Sequence, residues 1–246
     1  MPSVPARRPA PPDPPAFADR AEAGTRLGAA VRAAIGQFKD ADTERSVVFA
    51  IPRGGVAVAA GVARSLGASL DVIVVRKIGH PHAPEFGLGA IAEGGEPVFD
   101  DEALAQAGLT VADLAEVVEK ERAELARRVA VYRAADRGDG GGAGARQPGR
   151  LAIVVDDGLA TGVTARAALR AVGGRLGAAP GGAGRTRTVL AVPVAAAGSL
   201  EAINAEAGEV VTVVTTRRLR SVGEWYADFG QLTDADVLTL LAEGQS

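Results

Sequence analysis

Apolar, largely β-branched runs recur at 46–51, 70–75, 151–155, 188–194 and 210–214, each too short for a helix and each read as a strand. The run Leu151-Ala152-Ile153-Val154-Val155 has no polar alternate, the pattern of a strand buried on both faces. Between the runs the period changes. Ala23, Leu27, Ala30, Val31, Ala34 and Phe38 keep helical spacing within 19–38, and helices are read again over 56–66, 110–132, 164–172 and 233–241. Thr110 with Asp113, and Thr233 with Asp236, stand at capping-box spacing. Strands alternating with helices predict an α/β fold: a doubly wound, mainly parallel sheet of roughly five to six strands with helices on both faces.

Other stretches lack a period. Residues 78–89 (Ile78-Gly79-His80-Pro81-His82-Ala83-Pro84-Glu85-Phe86-Gly87-Leu88-Gly89) are rich in glycine and proline and predict a mobile loop. Residues 90–92 and 97–99 read as short strands around the turn Glu93-Gly94-Gly95-Glu96. Residues 1–18 read as a disordered proline-rich tail, and 136–149 as a flexible glycine-rich insertion within a single domain spanning 19–246. A second glycine-rich loop follows at 173–184.

Composition narrows the function classes. With 47% apolar and 23% charged residues, the 246-residue chain has a globular balance, and its net charge of −3 provides no basic stripe for nucleic acid. Arg7-Arg8 precedes a proline-rich segment without an apolar core, and no run is long enough to cross a bilayer, so the expectation is a cytoplasmic protein with no membrane partner. The absence of cysteine excludes disulfides, thiolate metal sites and a cysteine nucleophile. His80 and His82 are the only histidines, too few for a histidine-rich metal site.

The chemistry concentrates where the third run ends: Val154-Val155-Asp156-Asp157-Gly158-Leu159-Ala160-Thr161-Gly162-Val163-Thr164. From Thr164 the apolar positions Ala165, Ala168, Leu169 and Val172 are helical, so the turn passes a buried strand directly to a helix N-terminus. Free backbone N–H groups and the positive end of the helix dipole make such a turn an anion site, and Thr161 and Thr164 add hydroxyl donors. Two acids beside a phosphate would repel it unless they face ribose hydroxyls or a hydrated magnesium ion. The residues therefore call for a sugar phosphate. A nucleoside triphosphatase strand could also end in acids, but no G-x-x-x-x-G-K-[ST] loop occurs, and a receiver domain leaves the Thr-Gly-x-Thr turn unexplained.

This motif resembles the signature of the type I phosphoribosyltransferases. The resemblance implies that Asp156 and Asp157 hold the ribose hydroxyls of phosphoribosyl pyrophosphate, and that Gly158, Leu159, Ala160, Thr161, Gly162 and Thr164 hold its phosphate. It implies Mg2+ as cofactor, held chiefly by substrate oxygens with Asp156 and Asp157 helping directly or through water. A small hood, a flexible loop over the reaction and a homodimer are also implied. The reaction would transfer the phosphoribosyl group to a small planar, nucleobase-like acceptor, releasing pyrophosphate. An acid stands before the Thr-Gly in the 6-oxopurine salvage enzymes; Ala160 stands there here, closer to adenine- and uracil-type motifs and pointing away from hypoxanthine or guanine. A regulator that senses phosphoribosyl pyrophosphate or a nucleotide without catalysis would share the motif, as would, less readily, a sugar-phosphate hydrolase.

The remaining candidates follow the same two lines. Pro52-Arg53-Gly54-Gly55 is a second strand-to-helix turn with glycines, able to hold an anion, and it resembles the family's pyrophosphate loop with Arg53 as a contact. Arg76-Lys77 close the apolar run 70–75 where open α/β sheets place ligands, and resemble the family's pyrophosphate-binding pair. His80, His82 and Glu85 in the expected loop are candidates for contacting pyrophosphate or moving an acceptor proton, or are simply solvated. Arg76, Lys77 and Glu85 are thus the expected catalytic residues. Trp225, Tyr226 and Phe229 either stack a planar acceptor or pin the C-terminal segment. The charged face of 110–132, with Glu116, Lys120, Glu121, Arg127 and Arg128, is read as solvated or as a subunit contact.

Overall fold

The apolar runs assemble into a five-stranded parallel sheet. The computed structural model describes residues 15–36, 46–136, 151–177 and 186–244. Strands β1 (Val47–Ala50), β2 (Ser69–Val72), β6 (Leu151–Val155), β7 (Arg187–Ala196) and β8 (Glu209–Thr216) pair in the order β2-β1-β6-β7-β8. A second, antiparallel sheet contains β3 (Val75–His80), β4 (Ala83–Ala92) and β5 (Val98–Phe99). The helices are α1 (Arg20–Ile35), α2 (Gly54–Leu66), α3 (Asp101–Ala107), α4 (Ala115–Asp136), α5 (Val163–Leu176), α6 (Ala197–Asn204) and α7 (Asp234–Glu243).

Alternation along the central strands divides the core between the sheet's two faces. Val48, Ala50, Leu151, Ile153 and Val155 pack in one cluster with α1, α2, α4 and α7, through Leu27, Val31, Val58, Leu125 and Val237. Phe49, Ala152 and Val154 point the other way, into α5 and α6, through Ala168, Leu169 and Ile203. Helices therefore cover both faces, as the unbroken apolar runs require.

The helix ends follow their expected chemistry. Asp19 caps α1 by accepting from the Glu22 N–H, and Thr233 with Asp236 forms the capping box of α7. Thr110 donates its N–H and hydroxyl to Asp113, but the long helix starts later than its spacing suggested, after a single 3-10 turn over Ala112–Leu114. Tyr132 ties α4 to α7 by donating its hydroxyl to Asp234 Oδ1, and burial together with that bond pushes its pKa up to about 12.

Two expectations are corrected. The run 70–75 is not one strand: β2 ends at Val72, the Ile73 N–H still bonds to Ala50, and the chain then leaves the parallel sheet to begin β3. An uninterrupted apolar run carries no mark of such a transfer, because both sides of the junction are buried. The loop expected at 78–89 is instead the β3–β4 hairpin, whose ladder shifts register around Ile78, Gly79 and His80. Glycine and proline there accommodate an irregular ladder rather than a structureless loop. Gly79 lies so close to Pro84 that a Cβ would overlap the Pro84 carbonyl.

Most of the expected tail, the body of the insertion 136–149 and much of the loop 173–184 lie outside the described residues. Phe17, inside the stretch read as a tail, is buried and bonded to the Trp225 carbonyl. Among the described residues no helix is long and apolar enough to cross a membrane.

Candidate functional site

The carboxyl ends of β1 and β6 open into a cavity of about 580 Å³, within the usual range for a small-molecule site. Its floor is the motif turn: Asp156, Asp157, Gly158, Leu159, Ala160, Thr161, Gly162 and Thr164 all line it. Gly162 caps α5 with a φ of 83°, a left-handed conformation that suits glycine, and no side chain caps the first α5 amides, as an anion-binding helix start requires. Arg53 and Gly54 enter from the β1–α2 turn, where the peptide between Pro52 and Arg53 is cis. Arg76, Lys77 and His80 come from β3.

The acids are held unequally. Asp156 Oδ1 accepts the Asp157 N–H at 2.9 Å. Asp157 is gripped from the N-terminal helix: Arg20 Nε and Nη2 each lie 3.0 Å from Asp157 Oδ2. The Arg20 guanidinium also donates to the Gly230 carbonyl at 2.8 Å and lies 3.7 Å from the centre of the Phe229 ring. Tyr226 donates its hydroxyl to the Asp157 carbonyl at 2.6 Å, and burial raises its pKa. Burial raises the pKa of both acids. For Asp156 the next cause is the charge of Asp157, while Arg20 and then Lys77 pull Asp157 back down.

Gly54 is required by this packing, because a Cβ there would overlap Asp157 Oδ2 and come within 3.1 Å of Arg20 Nε. Gly54→Ala is expected to push the Asp157 carboxylate off Arg20 and to weaken binding of a ribose phosphate about tenfold, the loss of one charge-assisted hydrogen bond. Calorimetric titration of the variant checks this, and unchanged affinity would mean that the carboxylate has room to yield.

The other expected residues differ in their placement. Gly55 is buried against β6, Glu85 is exposed on β4 and does not line the cavity, and Arg76 lines it but is held in an ion pair with Glu121 of α4 at 2.7 Å. Trp225 and Tyr226 do not line the cavity. They pack with Phe17 and Phe229 in a small cluster that joins the stretch before α1 to the stretch before α7. Phe17 and Ala18 accept backbone bonds from Ala227 and Asp228. The reading of the aromatic trio as a pin thus describes their contacts.

Two groups of residues were missed. Arg20 had no sequence signal, since an arginine in a first helical turn is unremarkable until the fold brings it beside Asp157. The α4 residues Val117, Lys120, Glu121 and Arg128 line the cavity, so the face read as solvated or intersubunit is partly turned inward.

A family model described as a phosphoribosyl transferase domain matches residues 19–178, from the Arg20 helix through the motif helix. The chain belongs to the phosphoribosyl transferase family. Among members with curated records, proteins of Mycobacterium tuberculosis strains CDC 1551 / Oshkosh and H37Rv, named provisionally as phosphoribosyl transferases, are each 37% identical over 227 residues. The alignment covers 92% of this chain but 46% of each relative, so the chain spans about half the length of the curated relatives it matches. The solved structure of TT1426 from Thermus thermophilus is 40% identical with a TM-score of 0.67, covering 92% of this chain and 98% of that one. The phosphoribosyl transferase fold thus accounts for the sheet, its covering helices and the cavity at the strand ends.

Proposed function

We propose that the chain transfers the phosphoribosyl group of phosphoribosyl pyrophosphate to a nucleobase-like acceptor, releasing pyrophosphate. The observation that carries this reading is the convergence on one cavity of an anion-binding turn, two adjacent carboxylates and the cations Arg53 and Lys77, whose side chains have no hydrogen bond or ion pair among the described residues. The turn Gly158–Thr164 takes the 5-phosphate through the α5 amides and the hydroxyls of Thr161 and Thr164. Asp156 and Asp157 accept hydrogen bonds from the ribose hydroxyls. Arg53, the Gly54 amide and Lys77 receive the pyrophosphate, while the Gly55 N–H is already given to the Ile51 carbonyl at 3.1 Å.

In the reaction the bond between the anomeric carbon and the diphosphate oxygen breaks, and its electron pair leaves with the oxygen. A lone pair on the acceptor forms the new bond to that carbon, and any proton on the attacking atom is lost to a base. Fixed cations lower the barrier by meeting charge where it accumulates, which is electrostatic preorganisation rather than covalent catalysis.

The donor set fits a magnesium ion only as a partner of the substrate. Among the described residues there is no group of three acidic or histidine ligands. Arg20 occupies Asp157 Oδ2 and the Asp157 amide bonds Asp156 Oδ1, which leaves Asp156 Oδ2 and Asp157 Oδ1 to face an ion directly or through water. Bound with the substrate, Mg2+ would supply charge neutralisation at the diphosphate oxygens. The homodimer expected from the resemblance belongs to the same proposal, as does the cytoplasmic location expected from the lack of a membrane-spanning run.

A second reading, a sensor of phosphoribosyl pyrophosphate or a nucleotide that catalyses nothing, is favoured in its phosphoribosyl pyrophosphate form by one observation: no Phe, Tyr or Trp ring among the described residues lines the cavity to stack a base. Incubation with phosphoribosyl pyrophosphate, Mg2+ and a panel of nucleobases separates the two. Pyrophosphate release dependent on one base is expected for the transferase, and binding without release from any base would leave the sensor.

A further inference from the structure

Helix α4 places three polar side chains on the cavity at helical spacing, Lys120, Glu121 and Arg128, with Val117 on the same stripe. Glu121 reaches across to Arg76 and removes that arginine from any role as a free cation. The neighbouring residue on α4, Lys120, has no hydrogen bond or ion pair among the described residues. Arg128 commits its Nε to Glu124. The charge that Arg76 was expected to bring to the cavity is therefore brought by the helix that neutralises it.

Resting on the phosphoribosyl transferase reading above, we infer that Lys120 is a catalytic residue that binds the leaving pyrophosphate, acting with Lys77 of β3 and Arg53 of the β1–α2 turn. Three elements distant in sequence each bring to the same cavity one cation that has no side-chain hydrogen bond or ion pair among the described residues, which a solvated helix face does not explain. The Glu121–Arg76 pair fixes α4 against β3, so Lys120 and Lys77 stay on neighbouring elements that both line the cavity. A lysine suits this position: a compact charge on a flexible stem can follow a leaving group as its bond lengthens, whereas a forked guanidinium holds one geometry. As the anomeric C–O bond breaks and its electron pair stays on the diphosphate oxygen, an ammonium there offsets the growing charge. The acids, by contrast, lie at the carboxyl end of β6, where they serve the sugar.

Calorimetric titration with inorganic pyrophosphate in Mg2+, beside a separate titration with ribose 5-phosphate, tests this. Lys120→Ala is expected to weaken pyrophosphate about tenfold or more and to leave ribose 5-phosphate unchanged. Lys120→Arg should recover much of the loss. Arg122→Ala, on an exposed position of the same helix paired to Glu119, should change neither ligand. Lys120 is exposed, so the variants should keep the wild-type melting temperature, measured alongside. Pyrophosphate affinity within twofold of wild type in Lys120→Ala would overturn the assignment, as would wild-type binding of ribose 5-phosphate without pyrophosphate, while the sugar-phosphate site stood. Failure of the wild type to bind either ligand or phosphoribosyl pyrophosphate would overturn the underlying transferase reading with it.

Discussion

Replacing Arg20 with alanine is expected to cost about 3 kcal/mol of stability, the scale for stripping one partner from a largely buried ion pair. The side chains of Arg20 and Asp157 are only 11% and 17% exposed, and Arg20 also holds the Gly230 carbonyl and stacks on Phe229. One substitution therefore removes the counter-charge of a motif acid and the clasp between the N- and C-terminal segments. For a chain of this size the loss corresponds to a melting temperature lower by roughly 6 to 12 °C. The loss should grow with pH. Without Arg20 the already raised pKa of Asp157 rises further, so at low pH the acid is neutral in both proteins and the missing partner matters least. Arg20→Lys should recover part of the stability, since an ammonium can pair with the carboxylate but cannot keep both the second bond and the stacking. Thermal melts of the three proteins across pH 5 to 8 check this, and equal melting temperatures for Arg20→Ala and wild type would show that the contacts carry no net stability.

Asp156→Asn is expected to move stability and binding in opposite directions. Burial first, and the neighbouring charge of Asp157 second, raise the Asp156 pKa, so the folded protein holds its proton more tightly than the unfolded chain. A group with a raised folded pKa contributes its stability below the unfolded value, near 3.8, and that contribution is lost as pH rises through the folded value. At neutral pH, far above the unfolded value, the acid is therefore a net cost to the unliganded fold. Asparagine has nearly the same shape, keeps an oxygen to accept the Asp157 N–H, and carries no charge. The variant should melt above wild type at pH 7 to 8, with the gap closing toward pH 4. It should also bind phosphoribosyl pyrophosphate about tenfold or more weakly, since a carboxylate–hydroxyl bond is replaced by a neutral one. Such opposition is characteristic of a residue retained for a ligand rather than for the fold. A melting temperature below wild type at neutral pH would contradict it.

The parts of the molecule legible in the sequence were those fixed by local pattern. Val154 to Thr164 carries its own strand, anion turn and helix start, and Thr233 with Asp236 announces α7. What required tertiary structure was illegible in proportion to sequence distance. Arg20 lies 137 residues from Asp157, and nothing near either names the other. The α4 stripe reads as an ordinary amphipathic surface because a helix that lines a wet cavity and one that faces solvent use the same residues. The β3–β4 hairpin was hidden by its own glycines and prolines, which mark a loop and an irregular ladder alike. Tyr226 was read as either an acceptor platform or a pin; its hydroxyl on the Asp157 carbonyl makes it a strut beneath the acids.

The central claim is that the acids and the motif turn form a phosphoribosyl pyrophosphate pocket. Its most direct test is calorimetric titration of the purified protein with that ligand, with and without Mg2+, beside the variant carrying both Asp156→Asn and Asp157→Asn. Saturable binding by the wild type, strengthened by Mg2+ and lost in the double variant, is the predicted result. No heat of binding at millimolar ligand, or equal binding by the double variant, would contradict the account.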